Sequence, residues 1–246
     1  MRRRAPIALT IALALLVPPI LVTNGIRVLA NDWFVRFEYA RLPPDPYGLS
    51  RAQRTELGLT GLHSILPRNG EGIALLRRAR LATGRAAFRE KELRHMADVR
   101  RLFGVIYPAH LAAVAAVAVL ALGLAVAGRG RRLVGRAFTY GAGLTLVLAA
   151  GVAVALAVSA DAFLNGFHWV FFEGRSWRFR DDDTLRRLYP DRFWTETAVI
   201  LGLGAAAQAG LLLLAARRWL APRSRWSLSR PLGWSAQTDR EQSPRS

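Results

Sequence analysis

Two short segments, Glu92-Leu-Arg-His-Met-Ala-Asp-Val99 and Phe167-His-Trp-Val-Phe-Phe172, each set a histidine beside an apolar stretch long enough to cross a membrane. Histidine is the side chain whose ordinary pKa lets it give and take protons near neutral pH, so His95 and His168 are the candidates for acid/base chemistry on a lipid-borne group. On a helix, Glu92 and Asp98 lie three residues either side of His95 and share its face. A carboxylate there would fix the imidazole tautomer and raise its basicity. The competing reading is that both acids only solvate a surface helix between arginines. His168 has Leu164, Phe171 and Phe172 as helical neighbours, with Trp177 beyond a turn at 173–176. An aromatic belt at a membrane interface accounts for the rings, though not for a histidine among them. Of the remaining histidines, His63 is expected to face solvent, and His110 lies near the end of a span where it could support the site.

The elements that must position these residues are membrane helices. Four stretches, 5–26, 105–127, 138–160 and 198–216, are long and apolar enough to cross a hydrocarbon core about 30 Å thick. Together they leave little of the 246 residues for a separate soluble core. The expectation is a mainly α polytopic protein with one integral membrane domain over 1–230 and a disordered tail over 231–246. Arginines set the orientation: Arg2, Arg3 and Arg4 precede the first span, and Arg129, Arg131, Arg132 and Arg136 fill the link between spans two and three with no acid among them. Positive charge concentrates on the cytoplasmic side, so both termini are expected inside, with 31–104 and 161–195 extracytoplasmic. The first span is read as a retained anchor rather than a signal peptide, although Val28-Leu-Ala30 has the small-residue pattern of a cleavage site.

The extracytoplasmic excursion reads as a small mixed α/β unit. Trp33, Val35, Phe37 and Tyr39 alternate with Arg36 and Glu38, which predicts a strand leaving the membrane. Ser50 with Gln53 makes a capping box for a helix to about Ile65, weakened by Gly58 and Gly61. Phe88, Glu92, His95, Val99 and Leu102 recur at helical spacing and predict a helix running toward span two as far as Pro108.

The net charge of +18 comes from positive-inside topology and an arginine bias, since Lys91 is the only lysine. Nucleic-acid binding would require that charge on one soluble face with motif support, and none is present. Juxtamembrane arginines do favour contact with anionic membrane lipids. The chain has no cysteine and no G-x-S-x-G elbow, which removes thioester and activated-serine acyl transfer. No motif calls for a cofactor. A metal-dependent hydrolase using His95, Asp98 and His168 is the alternative enzyme, although no H-E-x-x-H spacing supports it. A transporter subunit or structural membrane protein is the non-enzymatic alternative, against which the spans lack buried charges.

The run Glu92-Leu-Arg-His95-Met96-Ala-Asp98-Val99-Arg-Arg-Leu102-Phe103, followed by Asn165-Gly-Phe167-His168-Trp-Val-Phe171-Phe172 and then Trp177, Pro190 and Phe193, resembles the bacterial lipoprotein intramolecular transacylases. The resemblance covers about residues 8–216. It implies four spans in the bacterial cytoplasmic membrane and an extracytoplasmic site with His95 and His168 as catalytic residues. Met96, Glu92, Asp98, Phe171, Phe172 and Trp177 fall in the same motifs as supporting residues. The implied substrate is the N-terminus of a diacylglyceryl-modified lipoprotein, whose sn-2 acyl chain moves to the α-amino group of its cysteine to give the lyso form.

Overall fold

The structure, a computed structural model, describes residues 4–126, 130–172 and 177–220. The turn expected at 173–176, Arg129 in the second link and the tail 231–246 lie outside the described residues. Among those described, the helices are α1 (Arg4–Leu29), α2 (Asp32–Arg41), α3 (Arg51–Ile65), α4 (Ala74–Arg78), α5 (Glu90–Val126), α6 (Gly130–Val158), α7 (Ala160–Phe171), α8 (Thr184–Leu188) and α9 (Asp191–Leu220).

Four of these, α1, α5, α6 and α9, are long and apolar enough to cross a membrane. They pack as a bundle in which α6 meets α1 and α9, and α1 also meets α5 and α9. Small residues let the backbones approach: Val134, Ala137, Ala142 and Ala209 are fully enclosed. A Cβ placed on Gly141 would lie 2.6 Å from the Cβ of Val17 on α1. Without a hydrophobic driving force inside lipid, such close backbone packing is what holds spans together. A polar chain adds to it: His110 Nε2 lies 2.9 Å from Asn24 Oδ1, and Asn24 Nδ2 donates to Gln208 Oε1 at 3.0 Å.

The helix expected to end at Pro108 does not end there. α5 runs unbroken from Glu90 to Val126 with Pro108 inside it. Proline is tolerated within membrane helices because neighbouring groups and local adjustment re-satisfy the freed carbonyl. The charged residues of α5 end at Arg101, so its crossing portion is the uncharged run that follows, and Glu92, His95 and Asp98 stand on a stalk outside it.

The remaining helices form a head around that stalk. The expectation of a strand at Trp33–Tyr39 is overturned: the segment is α2, and among the described residues there is no strand, only an isolated bridge between Arg80 and Ala86. The alternation left out Phe34. With it included, Phe34, Val35, Glu38 and Tyr39 are the buried face of a helix, while Trp33 and Phe37 point outward. The excursion is therefore helical rather than mixed α/β. The capping box is present in its first half, with Ser50 Oγ accepting from Gln53 N at 3.2 Å. Gly58 and Gly61 weaken α3 for a reason: a Cβ at Gly58 would lie 2.3 Å from the Tyr39 hydroxyl, and one at Gly61 would lie 2.4 Å from that of Tyr189. Tyr189 also donates to the Gly58 carbonyl at 2.8 Å. Leu57, Leu76, Phe88, Leu93, Met96, Leu185 and Leu188 close one core of the head, and Phe34, Tyr39, Leu62, Leu66 and Phe193 close a second.

Candidate active site

His95 lies on the second turn of the stalk and is 8% exposed. Its neighbour Met96 turns into the leucine core, which fixes the rotation of α5 and so the direction of the imidazole. His168 arrives from the other side on α7, a helix opened by Ser159, whose Oγ accepts from Ala162 N at 3.1 Å. No residue of α7 is buried; Trp169 is 81% exposed and Phe167 and Phe171 are also exposed. An apolar helix with that much uncovered surface fits the membrane interface. The chain then turns in at Phe172, whose N–H donates to the His168 carbonyl at 2.9 Å.

The two imidazoles face each other with ring centroids 6.1 Å apart. Phe172 lies against both, 5.1 Å from His95 and 5.6 Å from His168. Trp177 stacks on His168 at 4.8 Å, and Phe179 meets His95 edge-on at 5.3 Å. Sequence reading missed Phe179. The signal was available, since Trp177 and Phe179 are two apart in an irregular segment and an extended chain puts both rings on one side. Phe171 is peripheral, packing on Phe167 at 4.8 Å.

Hydrogen bonding distinguishes the two histidines. His168 Nδ1 is 2.7 Å from the Leu164 carbonyl. A carbonyl only accepts, so Nδ1 carries the proton and the neutral ring presents the lone pair of Nε2. His95 Nδ1 is buried with no partner among the described residues. An orphaned lone pair is tolerated better than an orphaned buried N–H, which assigns the proton of neutral His95 to Nε2. Burial lowers the pKa of His95 to about 4, helped by the nearby His168 and opposed by Asp98. The pKa of His168 is also lowered by burial, against the Leu164 carbonyl, which stabilises the protonated ring. Both rings are neutral at neutral pH.

Neither expected carboxylate touches His95. Glu92 is 1% exposed and spends both oxygens on backbone: it accepts from Arg89 N and Leu185 N, each at 2.7 Å. It closes the N-terminus of α5 and fastens α8 to it. Asp98 turns to Arg101. The cause is direction, because side chains three apart share a face yet lean toward different partners when a free N–H lies nearer. Lys91 donates to the Arg178 carbonyl and holds down the strip carrying Trp177 and Phe179. Among the described residues no group of three or more His, Cys, Asp or Glu converges to hold a metal ion. His63 keeps 39% of its side chain exposed and bonds Asp32 at 2.7 Å. His110 lies fifteen positions along α5 from His95, in the interhelical chain with Asn24.

The fold and the site together define a class, a four-helix membrane protein with an aromatic-walled pair of neutral histidines at the foot of a helical head. The family model of the lipoprotein intramolecular transacylase Lit matches residues 11–194, and the chain belongs to that family. A protein of Aquifex aeolicus (strain VF5), described as uncharacterized, is 26% identical over 197 residues, which are 79% of this chain and 87% of that one. The solved structure of the membrane integral lipoprotein intramolecular transacylase Lit from Bacillus cereus is similar at a TM-score of 0.73 and 15% identity, covering 88% of this chain and 96% of that one. The same protein with one histidine replaced by alanine gives 0.69 at 14% identity, covering 89% of this chain and 95% of that one. Those likenesses are of fold.

Proposed function

We propose that this chain transfers the sn-2 acyl chain of a diacylglyceryl-cysteine to the α-amino group of the same cysteine, giving a lyso-form lipoprotein, and that it does so on the extracytoplasmic face of the bacterial cytoplasmic membrane. The observation that carries the reading is the facing pair of neutral imidazoles, one offering a lone pair and the other an N–H, at the end of an apolar helix. The substrate supplies its own proximity, because its amine reaches the ester carbonyl through sulfur and glycerol by closing an eight-membered ring.

In this reading His168 Nε2 removes a proton from the attacking amine as nitrogen bonds to the ester carbon. His95 Nε2–H donates to the oxygen that takes up negative charge, a role for which a fixed donor out of water is suited. Collapse of the tetrahedral centre breaks the bond to the glycerol oxygen, and that oxygen recovers the proton held on His168. Atoms balance within one molecule, so neither water nor a second acyl donor is needed. Trp177 and Phe172 wall off solvent, and Phe179 fills the space behind His95. The arginine distribution supports placing both termini inside. Residues 1–230 make one integral membrane unit in this reading.

The test is conversion of a synthetic diacylglyceryl lipopeptide by purified protein, followed by mass spectrometry of fragments carrying the cysteine amine. Transfer within the molecule moves one acyl mass from glycerol to nitrogen at constant total mass. Release of free fatty acid instead would replace this reading with a hydrolase.

A further inference from the structure

A second cluster lies away from the histidine pair, and the transacylase reading leaves it unused. Tyr107 is twelve residues beyond His95, which at 1.5 Å per residue places it about 18 Å along α5. Arg27, exposed in the last turn of α1, lays its guanidinium 4.6 Å over the Tyr107 ring. Arg68, exposed on the loop after α3, bears electrostatically on the same hydroxyl together with Arg27. Neither arginine is ion-paired with an acid among the described residues, a state they share with Arg36, Arg51, Arg85 and Arg94 and not with Arg41, Arg78 or Arg89.

Beside them is a cleft of about 340 Å³ lined by His63, Leu66, Arg68, Asn69 and Gly70. Its loop is held from behind by Arg100, whose guanidinium takes the carbonyls of Ser64, Leu66 and Asn69 at 2.7 to 3.0 Å. With those carbonyls engaged by Arg100, the charged side chain that lines the cleft is that of Arg68. Of the acids nearby, Asp32 accepts from His63 Nε2 at 2.7 Å and Glu71 pairs with Arg78, so neither is ion-paired with Arg27 or Arg68. Arg27 closes the uncharged run of α1, and Tyr107 sits near the start of that of α5. From that boundary long arginine side chains reach outward to the layer in which lipid phosphates lie.

We infer that Arg27, Arg68, His63 and Tyr107 form a binding site for a phosphate group at the membrane boundary, supplied by an anionic lipid headgroup or by free phosphate. Paired guanidiniums and a phenol match its oxygens as donors. The site stands independently of the proposed acyl transfer.

The experiment places the full chain in phosphatidylcholine nanodiscs containing a phosphatidylglycerol probe with a photoreactive headgroup, and maps crosslinked residues at fixed ionic strength. Crosslinks are expected at 63–70, above those given by a zwitterionic phosphatidylcholine probe. Removing both charges in Arg27→Gln/Arg68→Gln should lower them about 25-fold, from about fivefold per juxtamembrane charge. Arg27→Lys/Arg68→Lys, which keeps the charges, should retain most of the signal, and Arg217→Gln/Arg218→Gln should leave it unchanged. Displacement by millimolar inorganic phosphate would assign the site to free phosphate, and resistance to displacement would assign it to the lipid. Undiminished crosslinking of a well-folded Arg27→Gln/Arg68→Gln protein, or no excess over the zwitterionic probe, overturns the inference.

Discussion

Glu92 should be a fastener of the site rather than a proton carrier, and its removal has a calculable effect. The side chain is enclosed, and its two oxygens accept from the amides of Arg89 and Leu185 at 2.7 Å. Each hydrogen bond to a charged group contributes about 1.5–3 kcal/mol, and Glu92→Ala leaves the buried N–H of Leu185 and the part-buried N–H of Arg89 without acceptors. Part of that loss is offset because the variant no longer desolvates a carboxylate, so the net cost is about 2–4 kcal/mol. The cost falls on the docking of 177–188 against α5, since Leu185 is on α8 and Trp177 and Phe179 precede it. At about 1.4 kcal/mol per decade, amide exchange over 179–188 should quicken by roughly 30- to 1,000-fold. Glu92→Gln keeps one acceptor oxygen and should show about half the free-energy change. Acyl transfer should fall in parallel, because Trp177 would no longer be held on His168, while the His168 bond to Leu164 survives. Native exchange rates in Glu92→Ala with acyl transfer abolished would refute this reasoning and make Glu92 an acid/base participant.

Replacing His95 or His168 by Ala should reduce acyl transfer by about 10²- to 10⁴-fold, measured by lipopeptide mass spectrometry. The double variant should lose far less than the product, because both rings serve one transition state. Both pKa values are depressed, and protonation of His168, the proposed base, places the acid limb of kcat/KM below the ordinary histidine value of 6.5. The same shifts make stability greatest above pH 6.5, where unfolded histidine is neutral, and erode it as pH falls toward 4, which thermal unfolding across that window would register. Gly58→Ala should destabilise by about 1–3 kcal/mol, read as a lowered unfolding temperature, because the new methyl meets the enclosed Tyr39 ring.

The four crossing helices and the two histidines were legible in the sequence because each rests on a local signal, an uncharged run or a histidine beside one. Failures occurred where a residue had two roles. Phe34 broke the alternation that suggested a strand, and its packing on Phe193 at 5.9 Å is a long-range contact that helps bury the face of α2. Pro108 read as an interruption because proline rules come from helices in water. Glu92 read as the partner of His95 because spacing identifies a shared face but not the nearest free N–H, here 93 residues away at Leu185. Phe179 depended on Lys91 and Asp183 pinning its strip, which are long-range contacts that no window of sequence contains. The Leu164 carbonyl that sets the His168 tautomer was within reach, four residues upstream on the same helix.

The unbroken α5 makes the site a ruler. From Leu102, the first residue beyond the charged stalk, to His95 is seven residues, or about 10 Å of helix, and a rod without a joint transmits that height unchanged. The glycerol esters of a resting lipid lie within an interfacial zone only about 5–7 Å deep on each side. Under the proposed acyl transfer, a lipid-borne substrate reaching His95 would rise a few ångströms from its own leaflet, carrying its ester out of the acyl layer. One alanine inserted between Asp98 and Leu102 would swing His95 by about 100° away from His168, whereas four would restore its bearing to within a fraction of a turn and lift it by about 6 Å. Site height and site facing are thus separately adjustable in a single helix.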